Sequence, residues 1–488
     1  MPANFMPTAQ EYLRFAPESL LILVGVLLMI MEPLSGPDGK RKFAVISFAA
    51  LAAAIGLAVA AGMEPGPAFS GLLMVDGFAT FFRVLVLVIG MFVILISTNY
   101  LALEGHESGE YYALLLFSIV GQCLMAASND LIMLFIGLEC SSIASYVLAG
   151  YLRDDKRNNE SALKYFLLGS FATAFLLYGV AWTYGTAGTT NLSAIRAFLM
   201  NPANHANMVV VGAATALMFV GFAFKVSAAP FQMWAPDVYQ GAPAPITAFM
   251  SIGSKAAAFA MFVRVMMTAF EPVKERWEPL IWISALATMT IGNCAALRQS
   301  NLKRLLAYSS IAHAGYLMVA ITAHSEIGTA SVMFYLTAYA LMSLGAFAIV
   351  VYIVRKGERF VEIKDLAGLS QRQPLVAAMF AIFLLSFTGI PLTAGFFGKF
   401  YIFKAALDSN LVWLAVLGML NSAVGAYYYL RIIVVMYMQP PAEGAEELLA
   451  PTIGIRVTML VTAALTIALG IFPSFILDLA GKSSSFVR

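Results

Sequence analysis

The sequence has few charged residues: only 11% of its 488 residues are Asp, Glu, Lys or Arg, whereas 61% are hydrophobic. Soluble domains carry about 25% charged residues, and a chain with fewer than half that share cannot cover a surface in contact with water. The composition therefore excludes a soluble globular protein and indicates an integral membrane protein. Its apolar segments are longer than the roughly 9–11 alternating residues of a transmembrane β-strand, so we expect an all-α membrane fold.

Cysteine and histidine are also scarce. The three cysteines, Cys123, Cys140 and Cys294, lie in apolar runs without C-x-x-C spacing, and their odd number argues against a disulfide framework. The four histidines are scattered and predict no metal site. The segment 395–400, GFFGKF, lacks the spacing of a phosphate-binding loop. We therefore expect no metal, nucleotide or redox cofactor bound to this chain.

The net charge of +2 predicts no nucleic-acid partner, and the long apolar runs predict the lipid bilayer as the main environment. A helix that crosses the bilayer needs roughly 20 mainly apolar residues. By that criterion the sequence predicts about fourteen transmembrane helices. They are expected near residues 17–34, 42–62, 76–99, 111–128, 130–150, 161–184, 207–229, 244–269, 278–297, 303–322, 327–354, 375–406, 411–438 and 453–478.

The Lys and Arg residues of the short loops predict the orientation. About twice as many lie on one side of the predicted membrane as on the other, and the richer side is expected to face the cytoplasm. Both termini are then expected on the periplasmic side. The N-terminal segment lacks the cationic start of a signal peptide and the Arg-rich, Ser-rich character of a transit segment, which favours the inner membrane of a bacterium.

Several ionisable residues lie deep inside predicted helices, where one charged side chain costs about 2.5–3.5 kcal/mol. Glu139, Lys255 and Lys399 are too deep to reach the interface, whereas Lys164 lies only a few residues inside its helix. Lys225 lies just before a proline, and His313 has Ser309, Ser310 and Tyr316 as neighbours. The candidate site residues are thus Glu139, Lys164, Lys225, Lys255, His313 and Lys399.

Other intramembrane cations have a simpler explanation. Arg264, Lys404 and Arg431 lie near predicted helix ends, from which a long side chain reaches the membrane surface. We therefore expect these three to have no role in transport.

Two prolines, Pro230 and Pro391, fall inside the seventh and twelfth predicted helices and are expected to break them. Matched broken helices in the two halves of a chain are typical of transporters built from inverted repeats. We expect two inverted repeats of five helices each. The predicted units are helices 1–3 in residues 1–105, the first repeat in 106–270, the second in 271–440 and helix 14 in 441–488.

Buried lysines and a glutamate within reach of one another form coupled proton-holding sites, because the charge of each one changes the proton affinity of the next. Intramembrane ionisable residues of this kind mark proton relays and ion paths. The residues by themselves leave a proton pump, a sodium/proton antiporter and an inactive scaffold open. The scaffold is disfavoured because the buried charges are present.

The same residues resemble those of a known family, the antiporter-like membrane subunits of respiratory complex I, the proton-pumping NADH:quinone oxidoreductase. The likeness covers essentially the whole fourteen-helix core. It rests on the buried residues, on the run KVSAAPFQMWAPDVYQGAPAPITAF from Lys225, and on NLKRLLAYSSIAHAGY from Asn301. Lys399 separates the chain from M-type subunits, which have Glu there, and the run QMWAPDVYQ departs from the HxWLPDA of L- and M-type subunits. The chain most resembles the N-type branch.

The resemblance implies roles for the site residues. Glu139 would pair with Lys225, and Lys164 would modulate that pair. Lys255 and His313 would form the central relay, and Lys399 would exchange protons with the outer side.

The resemblance also implies partners. Quinone reduction would occur elsewhere in the complex and drive the relay, with flavin, iron–sulfur clusters and quinone on partner subunits. Neighbouring antiporter-like subunits and other membrane and peripheral subunits would surround the chain. The translocase activity would thus belong to the complex. The alternative is a subunit of a multisubunit sodium (cation)/proton antiporter, which shares the same core.

Overall fold

The structure, a computed structural model, describes residues 6–36, 40–354, 356–358, 361–441 and 450–484. Helices dominate it, with one two-stranded antiparallel sheet of β1 (Gly66–Ala68) and β2 (Leu73–Val75). The helices are α1 (Ala9–Arg14), α2 (Ala16–Met31), α3 (Arg41–Met63), α4 (Gly77–Glu104), α5 (Gly109–Ala127), α6 (Leu131–Ala149), α7 (Lys156–Ala187), α8 (Leu192–Met200), α9 (Met208–Val226), α10 (Trp234–Gly241), α11 (Ala244–Phe249), α12 (Lys255–Arg264), α13 (Lys274–Leu297), α14 (Leu302–Thr322), α15 (Glu326–Ile353), α16 (Leu369–Arg372), α17 (Pro374–Thr388), α18 (Ala394–Asp408), α19 (Val412–Met438), α20 (Ile453–Ile471) and α21 (Ser474–Ser483). Short 3₁₀ helices cover Pro202–Asn204, Glu271–Val273 and Ile363–Leu366.

The all-α membrane fold is confirmed. Among the described residues, twelve helical segments are long and apolar enough to cross a bilayer. The first predicted helix is the 16-residue α2, which is shorter than a full crossing, and the twelfth is divided between α17 and α18. The count of fourteen therefore stays a prediction. The basic loop residues Arg355 and Arg359, the C-terminal Arg488 and the segment 442–449 before α20 lie outside the described residues.

Both predicted breaks coincide with helix ends. Helix α9 ends at Val226 and α10 begins at Trp234, with Pro230 between them. Helix α17 ends at Thr388 and α18 begins at Ala394, with Pro391 between them. A proline has no backbone N–H, so the carbonyl four residues before it loses its helical donor. Each break therefore leaves carbonyl groups that other donors must satisfy.

Two sets of helices, the first from α5 to α12 and the second from α13 to α19, share a local architecture. A short turn joins α5 to α6, and Asp130 caps the start of α6 by accepting from the N–H of Ile132 at 2.8 Å. A short turn likewise joins α13 to α14, and Asn301 caps α14 by accepting from the N–H of Arg304 at 3.0 Å.

Each cap residue also forms a β-bridge to the connection that leads into the broken helix of its own set. Asp130 pairs with Asn191 and Asn301 pairs with Glu362. Five crossings in a set would bring the chain to the opposite side of the membrane, and the two inverted repeats of five helices stay a prediction. The unit boundaries near residues 105, 270 and 440 stay a prediction.

The core of the bundle lies where the two sets meet. The segment Ala244–Ala269 is buried along its length, and α14 and α15 are buried on nearly all sides. Two π-helical turns, Met250–Ser254 and Val265–Ala269, flank α12 inside this core. Large apolar side chains remain exposed on α2, α7 and α19, as expected of helices that face lipid or another subunit.

Candidate functional site

A row of basic side chains runs through the buried middle of the bundle. These side chains come from α9, α12, α14 and α18, four different helices of the two sets. Each is buried, and each has hydrogen-bond partners within the protein. The row consists of Lys225, Lys255, His313 and Lys399.

Lys225 is held by hydroxyl groups and aromatic rings. Its Nζ donates to Ser142 Oγ at 2.7 Å and to Tyr165 OH at 3.4 Å. It also lies 5.9 Å from the ring centre of Tyr146 and 5.5 Å from that of Tyr165. Aromatic faces attract a desolvated ammonium group. In the described part of the chain, no carboxylate is in direct contact with this lysine.

Glu139 lies on α6 one helical turn from Ser142. It is half-buried, and its Oε1 has no hydrogen-bond partner among the described residues. The expected pairing with Lys225 is therefore not a direct ion pair in this structure. The acid and the amine are instead joined through the α6 turn that carries Ser142.

Lys164 is placed elsewhere. It is 41% exposed, and its Nζ contacts Glu160 Oε1 at 2.7 Å and Asp237 Oδ2 at 2.9 Å. Asp237 also binds Arg304 at 2.6 Å, so a surface cluster of alternating charge forms at this end of the bundle. The cluster lines a cavity of about 270 Å³. The structure therefore does not bring Lys164 into contact with Glu139 or Lys225, although its chain neighbour Tyr165 contacts Lys225.

Lys255 follows directly after the first π-helical turn. Its Nζ donates to the carbonyl oxygen of Ser310 at 2.9 Å and also bonds Ser310 Oγ. Single π-helical turns occur mostly at functional sites. The turn and Ser310 together fix the amine of Lys255 against α14.

His313 lies one turn further along α14 than Ser310. Its two ring nitrogens bond the hydroxyls of Tyr335 and Tyr429, the latter at 3.1 Å from Nε2. Tyr429 in turn bonds Ser309 Oγ. A neutral imidazole donates from one nitrogen and accepts at the other, so this triplet can pass a proton across the ring.

Lys399 occupies the second helix break. Its Nζ donates to the carbonyl oxygens of Phe387 at 2.8 Å and Thr388 at 2.9 Å, and to Ser422 Oγ at 2.7 Å. It also lies 5.1 Å from the ring centre of Tyr316. The carbonyl of Phe387 is the one whose helical donor would be Pro391. The ammonium of Lys399 therefore supplies a donor that the proline lacks.

The tyrosine and serine partners of the row were not among the sequence candidates, apart from Ser310 and Tyr316 as neighbours of His313. Their only sequence signal was polarity inside an apolar run, which many buried hydroxyls share. Hydroxyls both donate and accept, so they can relay protons between groups of higher affinity. The partners missed in this way are Ser142, Tyr165, Tyr335, Ser422 and Tyr429.

Arg264 differs from the expectation that it reaches the membrane surface. It is buried, and its guanidinium binds Asp76 at 3.0 and 2.8 Å and the carbonyl of Ala126 at 3.0 Å. Burial opposes ionisation of Asp76, but the Arg264 guanidinium and the backbone N–H groups at the start of α4 together outweigh it and lower the pKa of that carboxyl group. The planar fork of arginine suits such a pair, so the residue holds α12 against the start of α4.

A second buried ion pair joins α2 to α4: Glu18 Oε1 lies 2.8 Å from Arg83 of α4, and both side chains are fully buried. Neither residue was among the sequence candidates. Among the described residues, no group of three or more His, Cys, Asp or Glu side chains is placed to hold a metal ion.

The sequence of this chain matches the family model described as NADH:quinone oxidoreductase/Mrp antiporter, TM, over residues 128–425. This stretch contains the whole row of buried basic residues and both helix breaks. The chain belongs to this family. Among its relatives, NADH-quinone oxidoreductase subunit N 1 of Solibacter usitatus (strain Ellin6076) is 60% identical over 100% of both chains.

Solved structures agree with the fold of this family member. A chain of respiratory complex I from Thermus thermophilus with bound Aureothin is 33% identical, with a TM-score of 0.81 over 95% of this chain and 99% of that chain. A chain of the Mrp complex from Dietzia sp. DQ12-45-1b gives a TM-score of 0.86 over 98% of both chains. The latter is only 21% identical, so it shows the fold alone.

Proposed function

We propose that this chain is a proton-translocating membrane subunit of an NADH:quinone oxidoreductase, of the N type. The observation that carries the proposal is the row of buried basic groups bonded to hydroxyls and carbonyls. A lysine without a contacting carboxylate can lose its proton without leaving a buried anion unpaired. The full-length identity of 60% to an N subunit supports the same assignment.

The geometry suggests an order of transfer. A proton on Lys225 is held by Ser142 and Tyr165, and a change in the charge of Glu139 alters how strongly it is held. Lys255 would give its proton to the Ser310 hydroxyl while that hydroxyl gives its own proton onward. The imidazole of His313 with its two tyrosines would carry it toward Lys399.

The remaining roles complete the proposal. Lys399 would release protons on the outer side of the membrane. Quinone reduction, with its flavin and iron–sulfur clusters, would take place on partner subunits and drive the transfer. Lys164 would act from the surface cluster with Asp237 and Arg304, since it does not contact the Glu139–Lys225 end directly.

The proposed location is the inner membrane of a bacterium, with both termini on the periplasmic side and the other subunits of the complex around the chain. A reporter enzyme that is active only in the periplasm, fused to the C-terminus, should be active. Activity of a cytoplasmic reporter there would reverse the proposed topology.

The central test uses Lys255→Met in the assembled complex. NADH-driven proton uptake by inverted membrane vesicles should fall by at least about tenfold, as expected when a proton carrier is removed. NADH oxidation by an artificial electron acceptor should stay normal. The matched control is Lys404→Met, because Lys404 is an exposed lysine on α18. Normal proton uptake in Lys255→Met would overturn the proposal.

The alternative is a subunit of a sodium (cation)/proton antiporter. The fold shared with the Mrp complex chain is the observation in its favour. Sodium-dependent proton exchange by vesicles that lack any NADH-oxidising partner would support this alternative.

A further inference from the structure

A seam of buried polar side chains crosses the bundle between the Lys225 end and Lys255, outside the row described above. It joins α5, α6 and the π-helical turn Met250–Ser254. All of its members are nearly or fully buried, although the surrounding helices are apolar. The seam consists of Ser118, Gln122, Ser141, Ser145 and Ser254.

Close packing of α5 on α6 brings the hydroxyls of the seam together. A Cβ at Gly121 would lie 2.4 Å from the backbone nitrogen of Ser141, so only glycine allows this approach. Ser118 Oγ then lies 3.1 Å from Ser141 Oγ and 3.2 Å from Ser145 Oγ. This hydroxyl cluster adjoins Ser142, the partner of Lys225, on the same helix.

Gln122 extends the cluster to the π-helical turn. Its Nε2 lies 3.5 Å from Ser118 Oγ and 3.4 Å from Ser254 Oγ. Ser254 is the residue directly before Lys255. One side chain of α5 therefore connects the serine cluster of α5 and α6 with the turn that precedes Lys255.

The other end of the carboxamide is unsatisfied. Gln122 Oε1 is buried and has no hydrogen-bond partner in the described part of the chain. A Cβ at Gly253 would lie 3.0 Å from this oxygen, so glycine in the π-helical turn leaves room for it. A buried acceptor without a hydrogen bond is destabilising, and ordered water usually satisfies such groups.

We propose that Gln122 is a positioning residue that joins the Lys225 end of the relay to Lys255, and that its Oε1 accepts a hydrogen bond from an internal water. The water and the hydroxyls of Ser118 and Ser254 complete a hydrogen-bonded bridge between α6, which carries Ser142, and the turn that directly precedes Lys255. The inference rests on the proposed function in proton transfer. A purely structural role, in which the seam only packs α5 against the core, predicts instead that every variant that assembles pumps protons normally.

The first test compares Gln122→Leu with Gln122→Glu in the assembled complex. Gln122→Leu keeps the size of the side chain and removes its polar atoms. It should lower NADH-driven proton uptake about tenfold, which corresponds to ~1.4 kcal/mol on the transfer barrier. Gln122→Glu keeps an acceptor oxygen and, in its protonated form, one O–H donor, and it should restore most of the uptake. If both variants assemble and pump normally, the bridge does not exist.

A control and a second variant keep this test decisive. Thr462→Val removes a fully buried hydroxyl of α20 that bonds only to its own helix, and it should leave proton uptake unchanged. Should Gln122→Leu fail to assemble, Gly253→Ala displaces the carboxamide without removing any polar group. Gly253→Ala should lower proton uptake in the same direction, and normal uptake there would contradict the bridge.

The second test looks for the water directly. An electron cryomicroscopy map of the unmodified complex, at a resolution that shows ordered water, should contain density about 2.7–3.2 Å from Gln122 Oε1. A dry carboxamide in such a map would overturn the water site. Lys255→Met, measured in parallel, separates the two proposals. If it abolishes proton uptake while Gln122→Leu does not, the bridge fails and the proposed function stands.

Discussion

At each helix break the carbonyl groups that end the first half-helix need donors, and the two breaks obtain them from different side chains. After α9, Trp234 Nε1 donates to the carbonyl of Phe224 at 2.9 Å. In the same break, Thr288 of α13 satisfies a backbone donor by accepting from the N–H of Ala229 at 2.8 Å. After α17, Lys399 itself donates to two carbonyls. Neutral groups maintain the first break, and an ammonium group maintains the second.

Because of this difference, Lys225 and Lys399 have different roles in holding the backbone at the two breaks. Lys225 also lies in the last turn of a half-helix, where the helix dipole favours a cation, but among the described residues its amine contacts only hydroxyls and rings. Its proton can therefore leave without depriving the backbone of a donor. Lys399 combines a structural role with its proposed role in proton release, because each donor it loses leaves a carbonyl unsatisfied.

The largest expected difference is between Lys399→Met and Lys225→Met. Lys399→Met leaves the carbonyls of Phe387 and Thr388 without this donor, at a cost of about 1–3 kcal/mol for each group. Thermal inactivation of the assembled complex should occur at a clearly lower temperature than in the unmodified protein. Lys225→Met should abolish proton uptake with little thermal effect, because Ser142 Oγ already donates to the carbonyl of Leu138.

Two comparisons decide this prediction. Lys399→Arg, which keeps several N–H donors, should recover much of the thermal stability. If Lys225→Met lowers the inactivation temperature as much as Lys399→Met does, the two breaks do not differ in the way described.

A smaller difference is expected between Ser142→Ala and Ser422→Ala. Ser142 provides the shorter of the two hydrogen bonds made by Lys225, whereas Ser422 is one of three acceptors of Lys399. Ser142→Ala should lower proton uptake about fivefold, or ~1 kcal/mol, and Ser422→Ala less than about twofold. Initial rates of proton uptake, normalised to the amount of assembled complex, measure both. A larger effect of Ser422→Ala would reverse the proposed contrast.

The sequence predicts more of the fold than of the site. Hydropathy locates the helices because burial in lipid requires long apolar runs, and Pro230 and Pro391 locate the breaks because proline lacks an N–H. Depth in a helix also identifies Lys255 and Lys399 as buried, and the proline that follows it singles out Lys225. Their partners depend on which helix faces which, and that is a property of packing between residues far apart in the chain.

The same limit explains the two residues that the structure places differently from expectation. Arg264 lies near a helix end, as a side chain that reaches the surface would, but Asp76 of another element meets it inside the protein. Lys164 lies inside its helix, but its Nζ pairs with Asp237 and Glu160 in the surface cluster. Position along one helix does not reveal an opposite charge on the next.

The smallest expected effect tests whether the neutral break serves the relay or only the fold. Trp234→Phe removes the indole donor to the carbonyl of Phe224, which keeps the N–H of Ser227 as a partner at 3.1 Å. The loss should be about 0.5–1.5 kcal/mol in stability. Trp277→Phe is the matched control. Its indole donates to the carbonyl of Phe270 at 2.9 Å, and that carbonyl keeps the N–H of Val273.

The two tryptophan variants should lower the thermal inactivation temperature to a similar small extent but differ in transport. Trp234 stacks on Tyr165 with ring centres 4.6 Å apart, and Tyr165 contacts Lys225, so Trp234→Phe also loosens a partner of the lysine. Proton uptake should fall by less than about twofold in Trp234→Phe and not at all in Trp277→Phe. Equal uptake in both would mean that the indole stabilises the break without positioning Lys225. The first break would then have no part in proton transfer, unlike the second break, where Lys399 itself bonds the backbone.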